Sequence, residues 1–102
     1  MNDWVVGIDL GGTKVELGLI NPENIIVDRY KMPTNPDDGP ESVVARIADC
    51  VNQFQTRLSQ DDHIVSVGIC TPGPVDHENG VLINPTNLPK FYNIPLRQMK
   101  LF

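Results

Sequence analysis

Positive charges, cysteines and long apolar runs are all scarce in this sequence, and each scarcity argues against a class of protein. Lys and Arg number 8 against 13 Asp and Glu, a net charge of −5, and an acidic surface repels phosphate backbones and anionic lipids. Cys50 and Cys70 form no Cys-x-x-Cys pair, which argues against a structural zinc site or a redox motif and favours reduced thiols in the cytoplasm. No apolar run approaches the roughly 20 residues that span a bilayer, and residues 1–6 do not resemble a secretion signal. We therefore expect no nucleic-acid partner and no membrane association.

Apolar residues make up 40% of the 102 residues, enough for one globular domain, and their alternation predicts four strands. The alternating sets are Trp4, Val6, Ile8 and Leu10; Val15, Leu17 and Leu19; Ile25 and Val27; and Val65, Val67 and Ile69. The links at residues 10–13 and 21–24 are too short for a parallel crossover. The first three strands are therefore predicted to form an antiparallel meander.

A helix is predicted between the third and fourth strands. Residues 33–40 form a proline-rich loop, and Pro40 suits the first helical position. One helical face is apolar: Val43, Val44, Ile47, Val51, Phe54 and Leu58. Cys50 lies beside this face, so we interpret it as a packing residue. A strand–helix–strand path of this length allows a crossover that places the strand at residues 64–70 parallel to an earlier one. The predicted fold class is α/β, with three antiparallel strands, one parallel strand and a crossover helix.

The last third of the chain predicts a short β-hairpin followed by a helix. Asn79-Gly80 favours a two-residue type I′ turn, with the return strand at residues 81–83. His77 and its acidic neighbours Asp76 and Glu78 precede this turn, and we interpret them as a solvated hairpin tip in preference to a metal site. The pattern from Ile94 onwards is that of the first turns of a helix.

The segment with the most specific chemistry is Asp-Leu-Gly-Gly-Thr-Lys at residues 9–14, between the first two strands. Two adjacent glycines allow positive φ angles and expose successive N–H groups to an anion. Thr13 adds a hydroxyl, Lys14 adds a positive charge, and Asp9 suits a water-mediated Mg²⁺. The turn lacks the Gly-Lys-Ser/Thr of a Walker A loop and the GxGxxG of a dinucleotide site. On this turn alone, an ordinary Gly-Gly hairpin is an equally good interpretation.

Three motifs in register resemble the ROK family of the actin/hexokinase/Hsp70 superfamily, which contains sugar kinases and related transcriptional repressors. The first is GIDLGGTK at residues 7–14, the second is GICTPGPVD at residues 68–76, and the third is NPTNLP at residues 84–89. Together they cover nearly the whole chain. The resemblance implies an RNase H-like (actin-like ATPase) half-domain and an ATP-dependent kinase of a hexose or N-acyl hexosamine, of the glucokinase or N-acetylmannosamine kinase type.

The resemblance also implies the roles of individual residues. The residues expected to face ATP and its Mg²⁺ are Asp9, Gly11, Gly12, Thr13 and Lys14, with Asp9 on the metal. The residues expected to face the sugar are Gly73, Thr86 and Asn87. Lys90-Phe91 departs from the Gly-Trp common in the family after its NLP motif, which places the edge of the sugar pocket in question. For Asn87 alone, an Asx-turn role before Leu88 is the simpler interpretation.

No residue of this chain is assigned as catalytic. The family's catalytic base is an Asp in an Asn-Asp motif, on a strand after the helix that begins near Ile94. We therefore expect residues 1–102 to be the N-terminal part of the small domain of a longer kinase. The alternatives are the sugar-sensing domain of a ROK-type repressor and a non-catalytic binding module. We also expect a homo-oligomer, because the strand at residues 64–70 has an uncharged edge that can pair with another chain.

The first prediction is that these 102 residues alone do not phosphorylate sugars. Transfer to a hydroxyl requires a group that accepts its proton, and no residue of this chain is assigned to that role. A coupled ADP-release assay with glucose and with N-acetylmannosamine tests this. Turnover above roughly 1 s⁻¹, an ordinary enzyme rate, would contradict the prediction.

Overall fold

The computed structural model describes residues 2–71 and 74–83, together with residues 85, 88, 90, 91, 94, 95 and 99. The strands are β1 (Asn2–Leu10), β2 (Lys14–Ile20), β3 (Ile26–Pro33), β4 (Asp62–Cys70), β5 (Val75–Asp76) and β6 (Val81–Leu82), and the helix is α1 (Pro40–Arg57). A single 3-10 turn (Pro36–Asp38) precedes α1.

The first four strands form one mixed sheet in the order β3-β2-β1-β4. β2 pairs antiparallel with both β1 and β3, whereas β4 pairs parallel with β1. The short links enforce the antiparallel pairs, and α1 provides the longer crossover that a parallel pair requires. The predicted meander with one parallel strand is confirmed.

The core lies between α1 and one face of this sheet. Alternate residues of β1 and β2 are buried there: Val6, Ile8 and Leu10 from β1, and Val15, Leu17 and Leu19 from β2. The buried residues of α1 are Val43, Val44, Ile47, Cys50, Val51 and Phe54. Burying a large apolar side chain contributes about 1.5–3 kcal/mol, so this layer supplies most of the driving force for folding. The packing role of Cys50 is confirmed, and so is the predicted helical face except for Leu58, which follows the helix and is only partly buried.

Both ends of α1 follow from local chemistry. Gly39 precedes the helix with a φ of 92°, which favours glycine, and Pro40 occupies the first turn, where its missing N–H costs nothing. The helix ends at Arg57 because Leu58 has an extended backbone. No helix among the described residues is long and apolar enough to cross a membrane.

The prediction for β3 was only partly right. Ile25 and Val27 are the apolar residues from which this strand is predicted, yet their side chains are 57% and 49% exposed. The strand instead continues to Pro33, and its buried residue is Met32, which pairs with Val15. β3 is an edge strand, and most of its residues that pair with β2 are polar. The hydrophobic pattern therefore indicates only the exposed beginning of the strand.

The predicted hairpin is confirmed as the pair β5–β6, but its turn is not the two-residue type. Asp76 pairs with Val81, which leaves a four-residue loop at residues 77–80. The Gly80 N–H donates to the Asp76 carbonyl at 2.8 Å, and Gly80 alone takes the positive φ of this loop, 69°. The Asp76 carboxylate accepts from the Asn79 amide group at 2.8 Å. This side-chain bond favours the wider loop.

The helix predicted from Ile94 does not include Ile94 itself. Ile94 exchanges two backbone hydrogen bonds of 2.8 Å with Leu82, so residue 94 extends the small β5–β6 sheet. The Met99 N–H donates to the Pro95 carbonyl at 3.2 Å, a hydrogen bond between residues four positions apart. The remaining residues of the predicted helix lie outside the described residues.

Candidate phosphate-binding site

The turn between β1 and β2 is closed by one tight backbone contact. The Gly11 N–H donates to the Lys14 carbonyl at 3.0 Å, and a Cβ on Gly11 would lie only 2.9 Å from that same oxygen. Glycine is therefore required at this position by close approach. The predicted positive φ is wrong for this turn, since the positive-φ glycines of the described chain are Gly39 and Gly80.

The tip of the turn carries hydrogen-bond donors that the described part of the chain leaves unused. The N–H groups of Gly12 and Thr13 donate to no described residue, and the Thr13 side chain is exposed. Consecutive N–H groups of this kind attract an anion such as a phosphate group. The structure thus brings together the donors that the sequence analysis assigned to this turn.

The ammonium group of Lys14 already has an acidic neighbour. Its Nζ lies 3.0 Å from Oε1 of Glu16, and the Nζ of Lys31 lies 4.0 Å from the same oxygen. The hydrogen bond from Lys14, followed by its charge, holds the pKa of the Glu16 carboxyl below its usual 4.5. Glu16 is half-buried, and its ion pair orients the Lys14 side chain.

Asp9 lies on the sheet face that α1 leaves uncovered. It is exposed, and its register partners are Glu16 on β2 and Cys70 on β4. Two carboxylates directly opposite each other repel, and Lys14 and Lys31 offset that repulsion. No group of three or more metal-ligating side chains occurs among the described residues. Asp9 can therefore offer a cation one carboxylate, which suits an ion that keeps most of its water ligands.

A row of glycines runs across the same open face. Gly68, Gly7 and Gly18 are register partners on β4, β1 and β2, and Arg29 on β3 continues the row. The missing side chains leave an open groove of about 520 Å³ beside Asp9 and Glu16. Glycine inside a strand often marks close approach of another group, which is the signal the sequence offered for this groove.

Sequence analysis missed one residue that is bonded to the turn. Thr34 is completely buried, its N–H donates to the Thr13 carbonyl at 2.9 Å, and its hydroxyl donates to the Gly11 carbonyl at 2.7 Å. Arg46 of α1 donates in turn to the Thr34 carbonyl. In a proline-rich loop, the sequence does not distinguish a buried threonine from a solvated one. Only the tertiary structure identifies the role of Thr34.

The predicted sugar-facing residues Gly73, Thr86 and Asn87 lie outside the described residues. Their described neighbours Leu88 and Phe91 are both 1% exposed, and Leu82 is fully buried. The described residues Leu88 and Phe91, near the predicted sugar motif, are therefore part of the core. Phe91, the residue that departs from the family pattern, is one of these core residues.

A β-meander with a glycine turn at its first hairpin, a parallel fourth strand and a crossover helix defines the actin-like ATPase fold. The model of the ROK family matches residues 5–99 of this sequence. The chain belongs to the ROK family.

Curated relatives of this chain are sugar kinases. It is 34% identical over 92 residues to a glucokinase of Thermotoga maritima, covering 90% of this chain and 28% of that protein. It is 35% identical over 91 residues to an N-acetyl-D-glucosamine kinase of Citrobacter koseri, covering 89% of this chain and 28% of that protein. The chain thus spans less than a third of the length of these relatives.

Solved structures of the family share the fold. The ROK hexokinase of Thermus thermophilus superposes with a TM-score of 0.77 at 32% identity, over 93% of this chain and 30% of that one. A ROK family glucokinase from Streptomyces griseus, in complex with glucose and AMPPNP, superposes with a TM-score of 0.67 at 27% identity, over 91% and 28%. The predicted family and fold are confirmed.

The second prediction concerns the ion pair beside the turn. In Lys14→Met the pKa of Glu16 should rise towards its usual 4.5, because the hydrogen bond and charge that stabilise the carboxylate are removed. In the unsubstituted protein the pair should stabilise the fold above pH 4.5 and lose its effect as the pH falls through the lowered pKa. A carboxyl-carbon NMR titration measures the pKa of Glu16, and denaturant unfolding at several pH values measures the stability. Lys31→Met is the control and should move the pKa less; equal shifts would contradict the assignment of Lys14 as the main partner.

Proposed function

We propose that this chain supplies the phosphate-binding turn and part of the sugar-binding surface of an ATP-dependent sugar kinase. The proposal rests on the N–H groups of Gly12 and Thr13, which donate to no described residue, and on the Lys14 ammonium beside them, in a chain of the ROK family. In this proposal the acceptor is a hexose or an N-acyl hexosamine. The named activities of the relatives, which include glucose and N-acetylhexosamine kinases, support that substrate class.

The ATP phosphates would be held at the turn by hydrogen bonds and charge. The two N–H groups and the Thr13 hydroxyl can donate to the terminal phosphate oxygens, and a shift of Lys14 from Glu16 towards the phosphate would supply the positive charge. Such donors are preorganised, because the Gly11–Lys14 contact fixes the turn before the nucleotide arrives. AMPPNP, bound in the related glucokinase from Streptomyces griseus, is an ATP analogue and supports this nucleotide class.

Asp9 fits a magnesium ion that travels with the nucleotide. Its carboxylate is exposed on the open face beside the turn, and a single carboxylate with water ligands is the usual protein contribution to a Mg²⁺–ATP site. When bound, the ion neutralises charge on the phosphates during transfer. Asp9 would orient it by accepting hydrogen bonds from its water ligands.

The sugar side of the proposal depends on Gly73, Thr86 and Asn87. An amide and a hydroxyl can donate to and accept from neighbouring sugar hydroxyls, and a glycine lets backbone approach the ring. We also propose a cytoplasmic location, because ATP would be the donor and Cys50 and Cys70 are both free thiols.

The third prediction tests nucleotide binding by the chain itself. Titration of the ¹⁵N-labelled protein with MgATP should shift the amide signals of residues 11–14, because the turn donates to the phosphates. Lys14→Met should weaken binding at least about fivefold, the effect of losing a charged hydrogen bond. Asp9→Asn should remove the difference in affinity between solutions with Mg²⁺ and with EDTA.

The matched control is Lys31→Met, which removes the same charge from the neighbouring strand and should change the affinity less than about twofold. Signal shifts confined to the glycine row of the open face, or an equal effect of the two lysine substitutions, would show that the phosphates do not bind at the turn.

We propose in addition that the chain self-associates through β4. β4 is an edge strand, and from Ile64 to Cys70 its sequence has no charged residue, whereas the opposite edge, β3, carries Asp28, Arg29, Lys31 and Pro33. Charges and proline keep the edge of a sheet from pairing with another chain, and the Ile64–Cys70 part of β4 has neither. A second copy can add its own β4 through backbone hydrogen bonds alone.

The fourth prediction follows from this edge. Sedimentation at micromolar concentration should show a species larger than 11.3 kDa, and Val65→Lys should shift it towards the monomer by placing a charge on the edge. Val27→Lys is a matched control, because Val27 and Val65 are similarly exposed, at 49% and 47%, on opposite edges. A monomer before any substitution, or equal effects of the two, would contradict the proposal.

A further inference from the structure

The binding turn is held from behind by a buried threonine. Thr34 follows β3, has no exposed surface, and donates twice to the turn: its N–H to the Thr13 carbonyl and its hydroxyl to the Gly11 carbonyl. At 2.9 and 2.7 Å both are ordinary, well-formed hydrogen bonds. A buried hydroxyl is costly to place unless it is bonded, so this side chain has a specific task at the turn.

The bond to Gly11 controls the direction of an N–H group at the tip. The Gly11 carbonyl and the Gly12 N–H belong to one planar trans peptide unit and point in opposite directions. Because the Thr34 hydroxyl holds the carbonyl towards the interior, the Gly12 N–H is held pointing away from Thr34. Gly12 has no side chain and donates to no described residue, so without this bond its peptide plane would be free to rotate.

Thr34 is itself fixed by the helix. Arg46 of α1 donates through one guanidinium nitrogen to the Thr34 carbonyl and through another to the Asp38 carboxylate at 3.2 Å. The guanidinium is planar and rigid, so the two bonds set the position of the loop between β3 and α1. The turn, the loop and the helix are thereby joined in one line of hydrogen bonds.

We propose that Thr34 is a positioning residue for the phosphate site: it aims the Gly12 N–H at the phosphate, and Arg46 holds Thr34 in place. The inference rests on the proposed function for the identity of the ligand, but the orientation of the Gly12 peptide can be measured without one. Serine keeps the hydroxyl and should preserve this role, whereas valine keeps the shape of threonine and removes the donor.

The experiment compares Thr34→Val and Thr34→Ser in the 102-residue chain. In Thr34→Val the Gly12 amide nitrogen should change its chemical shift and gain nanosecond motion, because the carbonyl of its peptide has lost its partner. The affinity for MgATP should fall about three- to tenfold, the usual effect of one hydrogen bond. Thr34→Ser should match the unsubstituted protein in both measurements.

Two further variants separate positioning from stability. Val51→Ala removes buried apolar volume from α1 away from the turn, and it should lower the melting temperature while leaving the Gly12 signal and the MgATP affinity unchanged. Arg46→Met removes the donor to Thr34 and should move the Gly12 signal in the same direction as Thr34→Val. Arg46→Met also provides the test if Thr34→Val does not fold.

The outcomes for the two proposals are distinct. If the unsubstituted chain does not bind MgATP, the proposed function fails for this chain, and the Gly12 signal still decides the role of Thr34. If Gly12 is equally ordered and unshifted in Thr34→Val, or if Val51→Ala reproduces its effect, Thr34 does not position the turn, whatever the nucleotide does.

Discussion

The close contact of Gly11 with the Lys14 carbonyl is the constraint on which the rest of the site depends. It allows β1 to reverse into β2 within three residues, because no side chain separates the two backbones. The same reversal places Gly12 and Thr13 at the tip of the hairpin with their N–H groups unused by the described chain. A small feature of packing thus creates both the antiparallel meander and the donors of the candidate site.

The two faces of the sheet have different roles. One face packs on α1 and supplies the core, so it tolerates little change in volume. The other has a row of glycines beside Asp9, Glu16 and Lys31, and so combines open space with charge. Because side chains alternate along a strand, each residue of β1 and β2 contributes to one task only. This arrangement lets a rigid core hold an open, charged surface.

The sequence determined the elements whose signals are local and repeated. The period-two alternation of β1 and β2 and the three-to-four spacing of α1 predicted the strands, the helix and the face each one buries. The prediction was wrong where a single side-chain hydrogen bond or an exposed edge determines the local structure. β3 continues past its apolar residues, Asp76 favours a wider hairpin loop, and Ile94 pairs with β6. In each case a partner distant in space, or a single hydrogen bond, overrode the local preference.

The candidate site shows the same division. The sequence by itself determined the chemistry of the turn at residues 9–14, because glycine, hydroxyl, ammonium and carboxylate groups occur together in one short segment. Only the tertiary structure decided how that chemistry is held: Glu16 engages Lys14, and Thr34, distant along the chain, fixes the Gly11 carbonyl from within the core. Pairings of this kind depend on the register of three strands and on the position of α1 against the sheet. They leave no periodic trace in the sequence, because each involves one atom pair.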